Sequence, residues 1–117
     1  ETWTYIDDCN RTITTSRTIT VEPAPEATFA AVANISIPCG AAPPVGSSLM
    51  YSNGGSGSCD ISGSVTGSIS GSHNECGGSY TETWTYTDDC NRTITTSRLI
   101  TVDPAPQAVF ALASNIS

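Results

Sequence analysis

The segment Glu1–Arg17, ETWTYIDDCNRTITTSR, returns at Glu82–Arg98 with a single change, Ile6 to Thr87. The match continues without a gap through TITVEPAP against LITVDPAP, Phe29 against Phe110, and the NIS at Asn34 against the NIS at Asn115. The offset is constant at about 81 residues, a spacing that corresponds to one small module per period. A chain that repeats itself in this way is expected to fold as copies rather than around one continuous core. The 117 residues then divide into 1–25, the closing hairpin of one repeat, 26–106, a complete repeat, and 107–117, the first strand of the next. Such a window is what a long tandem array would yield.

Both copies carry the same hairpin pattern. On its first arm Tyr80, Glu82, Trp84 and Tyr86 alternate with Thr81, Thr83, Thr85 and Thr87, and on its second Ile94, Ile100 and Val102 alternate with Thr93, Thr95, Ser97 and Thr101. A period of two places the two sets on opposite faces of a strand. The apolar faces of the two arms coincide if Asp89, Cys90 and Asn91 form a three-residue loop with Asn91 in the left-handed conformation. This register sets Tyr86 opposite Ile94, Tyr80 opposite Ile100 and Glu82 opposite Arg98, with Glu1 opposite Arg17 in the first copy. An arginine set between isoleucines thereby gains a partner. A half-exposed pair contributes only about 0.5 kcal/mol, so its expected role is to fix register.

CDISGSVTGSIS reads as a further strand, with Ile61, Val65 and Ile69 inward and Gly63 and Gly67 between them. Glycine weakens a strand but leaves room for a large neighbour. Trp84 and Tyr86 are the expected occupants, with Trp3 and Tyr5 as their core counterparts in the first copy. ATFAAVANISIPC reads as another strand, with Phe29, Ile35 and Ile37 inward, and SSLMYS as a fifth. Lysine is absent and leucine and methionine are scarce, so helix formers are few. Short β-branched runs of this kind predict an all-β, immunoglobulin-like two-sheet sandwich.

A period of this size holds only a modest core, and the five cysteines offer further support. They lie in Ser/Thr/Gly-rich stretches without CxxC or CxxH spacing, which argues for disulfides in an oxidising compartment and against zinc. Cys9 is the copy of Cys90, so its partner is expected upstream of Glu1. Cys76 and Cys90 flank one long strand, about 40 Å apart when extended, and cannot bond. An up-and-down strand path brings Cys59 to the pole of Cys90 and Cys39 to the pole of Cys76. The expected bridges are therefore Cys39–Cys76 and Cys59–Cys90, each closing a loop of roughly 30 to 40 residues worth about 3–4 kcal/mol. An odd number of strands also sends the chain in at one pole and out at the other. The stiff joints VEPAPEA and VDPAPQA would then string neighbouring repeats end to end into a rod or filament.

Four arginines against eleven carboxylates give a net charge of −7, which argues against a nucleic-acid surface. No run is apolar for long enough to cross a bilayer as a helix, and no membrane insertion is expected. His73, the only histidine, lies in the turn-like GSHNECGG with no nucleophile or carboxylate constellation around it, so neither catalysis nor a cofactor is expected. Asp88 and Asp89 offer hard oxygen ligands for calcium or, equally, Asx-type turn caps. The threonine face is either a soluble outer surface, an array of O-glycan acceptors (Thr81, Thr83, Thr85, Thr87, Thr93 and Thr95), or a water-ordering, ice-binding array. Asn34 and Asn91, with their copies Asn115 and Asn10, begin N-x-Ser/Thr sequons.

The stretch GGSYTETWTYTDDCNRTITTSRLITVDPAP resembles the closing segment of the HYR-like, four-cysteine immunoglobulin-type repeats of very large secreted Bacteroidota surface proteins, including those of the gliding-motility adhesin kind. TWTYTDDC, the following RTITTSRLITV and the PAP link carry the likeness, which spans the whole chain. Where such repeats often have Gly-Asn or Gly-Arg after the cysteine, this chain has Asn91 and Arg92. The resemblance implies an extracellular, cell-surface-attached β-sandwich repeat of bacterial origin, structural or adhesive in duty and without catalysis. Its implied partners are neighbouring repeats and surface glycans. The alternative is a carbohydrate-binding or spacer module of a secreted multidomain enzyme, with Tyr51 as a sugar contact. Two ways of joining repeats also stand open: linkers alone, or insertion of ATFAAVANIS into the preceding repeat's sheet.

Overall fold

The computed structural model describes residues 1–116. Strands β1 (Thr2–Ile6) and β2 (Thr12–Ser16) form an isolated antiparallel hairpin. After a stretch without ladder pairing come β3 (Thr28–Phe29), β4 (Ile35–Ile37), β5 (Ser48–Ser52), one 3-10 turn (Gly57–Cys59), β6 (Ser62–Thr66), β7 (Ser68–Asn74), β8 (Gly77–Thr87) and β9 (Thr93–Val102). These build a three-stranded sheet, β3-β5-β6, and a four-stranded sheet, β4-β9-β8-β7. The chain is all-β and very elongated, 131 × 20 × 15 Å.

The β8–β9 register sets Tyr86 against Ile94, Tyr80 against Ile100 and Glu82 against Arg98. Its loop spans three residues: Asp88 N donates to Arg92 O at 3.0 Å, and Asn91 adopts φ 63°. Asn10 does the same in the first hairpin at φ 62°. The loop parity and the left-handed asparagine thus act as the alternation requires. The two larger sheets meet through side chains. Tyr51 of β5 stacks on Tyr86 of β8 with centroids 3.9 Å apart, and Phe29 meets Tyr51 edge-on. The core is small: Ala27, Trp84, Ile100 and Val102 are its buried apolar residues.

Two long strands read from the sequence are each broken. CDISGSVTGSIS divides at Gly67 into β6, which pairs with β5, and β7, which pairs with β8. At this crossing from one sheet to the other, Gly67 N donates to Ser47 O at 2.9 Å. A Cβ at Gly46 would lie 2.0 Å from the Gly67 carbonyl oxygen, so the backbones pass too closely for a side chain. ATFAAVANISIPC likewise divides into β3, on the edge of the three-stranded sheet, and β4, parallel to β9 on the edge of the other. The small residues Ala30, Ala31 and Ala33 let the chain step between the sheets. Both halves of this segment pair within the chain that carries them.

The occupants of the glycine gaps also differ from expectation. A Cβ at Gly63 would strike the Tyr51 ring, and one at Gly67 would strike the Glu82 carboxylate at 2.7 Å. Tyr51 is the direct cross-strand partner of Gly63, so it reaches this gap before a residue of the opposite sheet can. Trp84 instead turns its indole toward Ser47, and Tyr86 lies over Tyr51. Ile61, Val65 and Ile69 are half-buried. In the first hairpin Trp3 and Tyr5 are 46% and 61% exposed, with no second sheet of this chain packed against them.

The chain enters the body at one pole and leaves at the other. At the entry, Asn53 Nδ2 donates to Pro25 O at 3.0 Å and to Cys59 O at 2.8 Å. At the exit, Asp103 N donates to Ile37 O at 2.9 Å and Ala105 N to Glu75 O at 2.8 Å. Glu75 lies in the β7–β8 turn, at the opposite end of β8 from the Asp88–Arg92 loop.

Candidate functional site

The most strongly determined group lies beneath the middle of β8. Glu82 is 0% exposed. Its Oε2 accepts from Ser47 N at 2.7 Å and Ser47 Oγ at 2.9 Å, and its Oε1 accepts from Arg98 Nε at 2.8 Å. Trp84 Nε1 donates to Ser47 O at 2.8 Å, and the Arg98 guanidinium lies 5.7 Å from the Trp84 ring centroid. One carboxylate therefore ties both strands of the hairpin to the segment that enters β5. Burial pushes the Glu82 carboxyl up, but the Ser47 donors and Arg98 outweigh it and hold the group below its usual range. The pairing with Arg98 is legible from alternation. Ser47 is not, because nothing in its sequence context marks it as a contact of residues so distant in the chain.

Asp88 organises the loop. Its Oδ1 accepts from Cys90 N at 2.9 Å and Arg92 N at 3.0 Å, and its Oδ2 from Arg92 Nε at 2.7 Å. Asp7 repeats the same three bonds with Cys9 and Arg11. The Arg92 amide lowers the Asp88 carboxyl most, against the opposing effect of burial. Among the described residues no group of three or more His, Cys, Asp and Glu is arranged to hold a metal ion, and Asp88 is committed to the turn. Asp89 remains exposed beside it.

These two carboxyls give a pH dependence of defined sign. Each is more acidic folded than unfolded, so folding favours its charged form. Stability is expected to hold from pH 7 to about 5 and then to fall as the pH drops through the ordinary carboxylate range and below. Denaturant titrations at stepped pH would show this, with Glu82→Gln losing less between pH 5 and 3 than the parent. Gly67→Ala, which forces a methyl against the Glu82 carboxylate, is expected to cost about 1–3 kcal/mol by overpacking, measured the same way at pH 7.

The cysteines sort by pole. Cys59 and Cys90 line one cavity of about 360 Å³ at the entry, together with Tyr86, Asp60 and the linker residues Val21, Glu22 and Ala24. At the exit, Cys39 Sγ lies 4.0 Å from the Asn74 carbonyl, and Asn74 Oδ1 accepts from Cys76 N at 2.8 Å. All five sulphurs are unbonded in this structure, with Cys9 exposed on the first hairpin loop.

The outer face of the four-stranded sheet is almost wholly hydroxyl. Ser68, Thr83 and Ser97 form one row, Ser72, Ser79, Thr101 and Ser36 another, and Thr85–Thr95 and Thr87–Thr93 complete it. Thr87 and Thr93 oxygens are 2.9 Å apart. Thr81 is exposed in the same face beside Leu99. The side chain of Asn34 has a structural task, its Oδ1 accepting from Leu99 N at 2.8 Å. His73 is not a loop residue; it sits in β7, half-buried, with Nδ1 2.8 Å from the Tyr80 hydroxyl. Tyr51, stacked inside on Tyr86, does not present a free ring to a sugar.

Set against family models, curated proteins and solved structures, the chain matches none.

Proposed function

We propose that this chain is a stretch of an extracellular, non-enzymatic filament of a bacterial cell surface, structural or adhesive in duty and built from tandem immunoglobulin-like β-sandwich repeats. The repeat boundaries are residues 1–25, 26–106 and 107–117, and neighbouring repeats join end to end through the Pro-Ala-Pro links. Cys39–Cys76 and Cys59–Cys90 are the proposed bridges, one at each pole. The observation that carries the reading is the path of the chain, which enters beside Asn53 and leaves beside Glu75 at the opposite end of β8. Covalently joined beads threaded in this way extend rather than cluster. The sorting of the four cysteines by pole supports the bridges, and the uncharged Ser/Thr face supports O-glycan attachment at Thr81, Thr83, Thr85, Thr87, Thr93 and Thr95.

The test is electron microscopy of the purified native material. Thin rods with an axial repeat of a few nanometres are expected, and compact particles would refute the filament. Non-reducing peptide mapping should recover Cys39 with Cys76 and Cys59 with Cys90. A Cys39–Cys59 peptide would refute the pairing. Intact mass before and after β-elimination would reveal or rule out O-glycans on the threonine face.

A further inference from the structure

We propose that the body bears tension, and that residues Asn34–Ile37 with Leu99–Asp103 form the shear clamp on which that tension falls. The inference rests on the filament reading, since load must arrive through the two joints. It extends that reading by naming the seam that sets the strength of each bead.

The direction of loading follows from topology. Tension from the entry joint pulls on residues 26–37, and tension from the exit joint pulls on β9. Strands β4 and β9 are parallel, with Ile35 opposite Ile100, Ser36 opposite Thr101 and Ile37 opposite Val102. The leading end of β4 is therefore drawn toward the entry pole while the trailing end of β9 is drawn toward the exit pole. The strands can part only by sliding along one another, so every bond across the seam is stretched together. Two further bonds lengthen the seam at its ends: Asp103 N to Ile37 O at 2.9 Å, and Leu99 N to Asn34 Oδ1 at 2.8 Å. The Asn34 side chain thus continues the ladder where the backbone has already turned toward the other sheet. Upstream, β3 is held along its own axis by Thr28 opposite Ser52 and Phe29 opposite Tyr51, with Ala30 N donating to Met50 O at 2.9 Å. Strand β9 is anchored to β8 along its whole length, from Gly78 opposite Val102 to Thr87 opposite Thr93. The β4 side is consequently the one that yields.

The first hairpin supplies the opposite case within the same molecule. Its ends lie side by side: the Glu1 amino group donates to Arg17 O at 3.0 Å and Arg17 N to Glu1 O at 2.9 Å. Pulling those ends apart breaks one rung at a time. Forced unfolding is governed by the unfolding barrier, which is higher when several bonds must fail together. Both seams are short, so geometry rather than bond number separates them.

The experiment stretches the full chain between handles at its two ends in a single-molecule force instrument. The hairpin is expected to open first at low force, and the body then to yield in one step at several-fold higher force. The step should release about 250 Å with the thiols reduced and about 110 Å with both proposed bridges closed, taking at most ~3.6 Å per freed residue less the ~40 Å that the folded body already spans along β8. With the thiols reduced, moving the N-terminal handle to Gly40, where a side chain meets open space, makes the same seam peel from its exit end, and the rupture force is expected to fall to near that of the hairpin. Asn34→Ala should lower the rupture force in the first geometry, and Asn115→Ala should leave it unchanged. Equal forces in the two pulling geometries, or a body that opens at hairpin force, would overturn the clamp while leaving rods and bridges intact. Gradual extension without a discrete rupture would instead overturn the folded bead on which both proposals stand.

Discussion

Glu82→Ala is expected to destabilise the body by about 3–5 kcal/mol, the usual consequence of removing one partner from a buried ion pair. Glu1→Ala, the same substitution in the same sequence context, is expected to leave the body's stability unchanged. At Glu82 the change strands the Arg98 guanidinium and two Ser47 donors around an empty space, beneath a tryptophan only 1% exposed. At Glu1 the partner Arg17 is 63% exposed and returns to water. Since small domains have only about 5–15 kcal/mol of stability in all, the Glu82 variant should be partly or wholly unfolded in dilute buffer. Chemical denaturation followed by near-ultraviolet dichroism would measure both variants. A Glu82→Ala protein within 1 kcal/mol of the parent would mean that Ser47 and Arg98 find other partners and that the network does not hold the sheets together.

The second large effect concerns the proposed bridges. Closing both is expected to stabilise the folded body by roughly 6–8 kcal/mol in the chain-entropy account, about 3–4 for each loop. The four buried apolar residues among those described, one of them an alanine, make too small a core for that contribution to be redundant. Oxidised protein should therefore resist denaturant strongly, and reduced protein should unfold at a much lower concentration. The paired variants Cys39→Ser with Cys76→Ser, and Cys59→Ser with Cys90→Ser, should each show about half of the full difference. Identical denaturation curves with and without reductant would remove the bridges from the account. The carboxylate network and the aromatic stack of Tyr51 and Tyr86 would then be the main supports of the fold.

The β8–β9 hairpin of the four-stranded sheet is legible in the sequence. Alternation with a period of two marked the faces of β8 and β9. The need to bring both apolar faces to one side set the loop length, and an asparagine at the left-handed position satisfied it. All of this information is local, carried by residues that meet across a tight turn. The two long β-rich runs were harder to read. Strands β6 and β7 are separated by Gly67 alone and β3 and β4 by a few small residues, yet each pair divides between two sheets. A change of sheet leaves no mark in alternation, because the inward face remains inward on both sides of the crossing. Alternation marks Gly67 as a gap but does not name its occupant, Glu82. A carboxylate is an improbable filler of core space until Ser47, contributed by a distant segment, satisfies its second oxygen.

The hairpin sequence states this division most clearly, because it occurs twice. Residues that meet across the tight turn set its register, loop length and acidic–basic pair, and these recur in both copies, although β1 and β2 are five residues each where β8 and β9 are eleven and ten. Trp84 is enclosed because the second sheet packs over its face, whereas Trp3 lies 46% open to solvent in a hairpin that no other sheet of this chain covers. Conformation here follows from bonds between near neighbours along the chain, whereas burial depends on what comes to lie against a face. In this protein that covering layer, β3-β5-β6, is assembled from segments outside the hairpin.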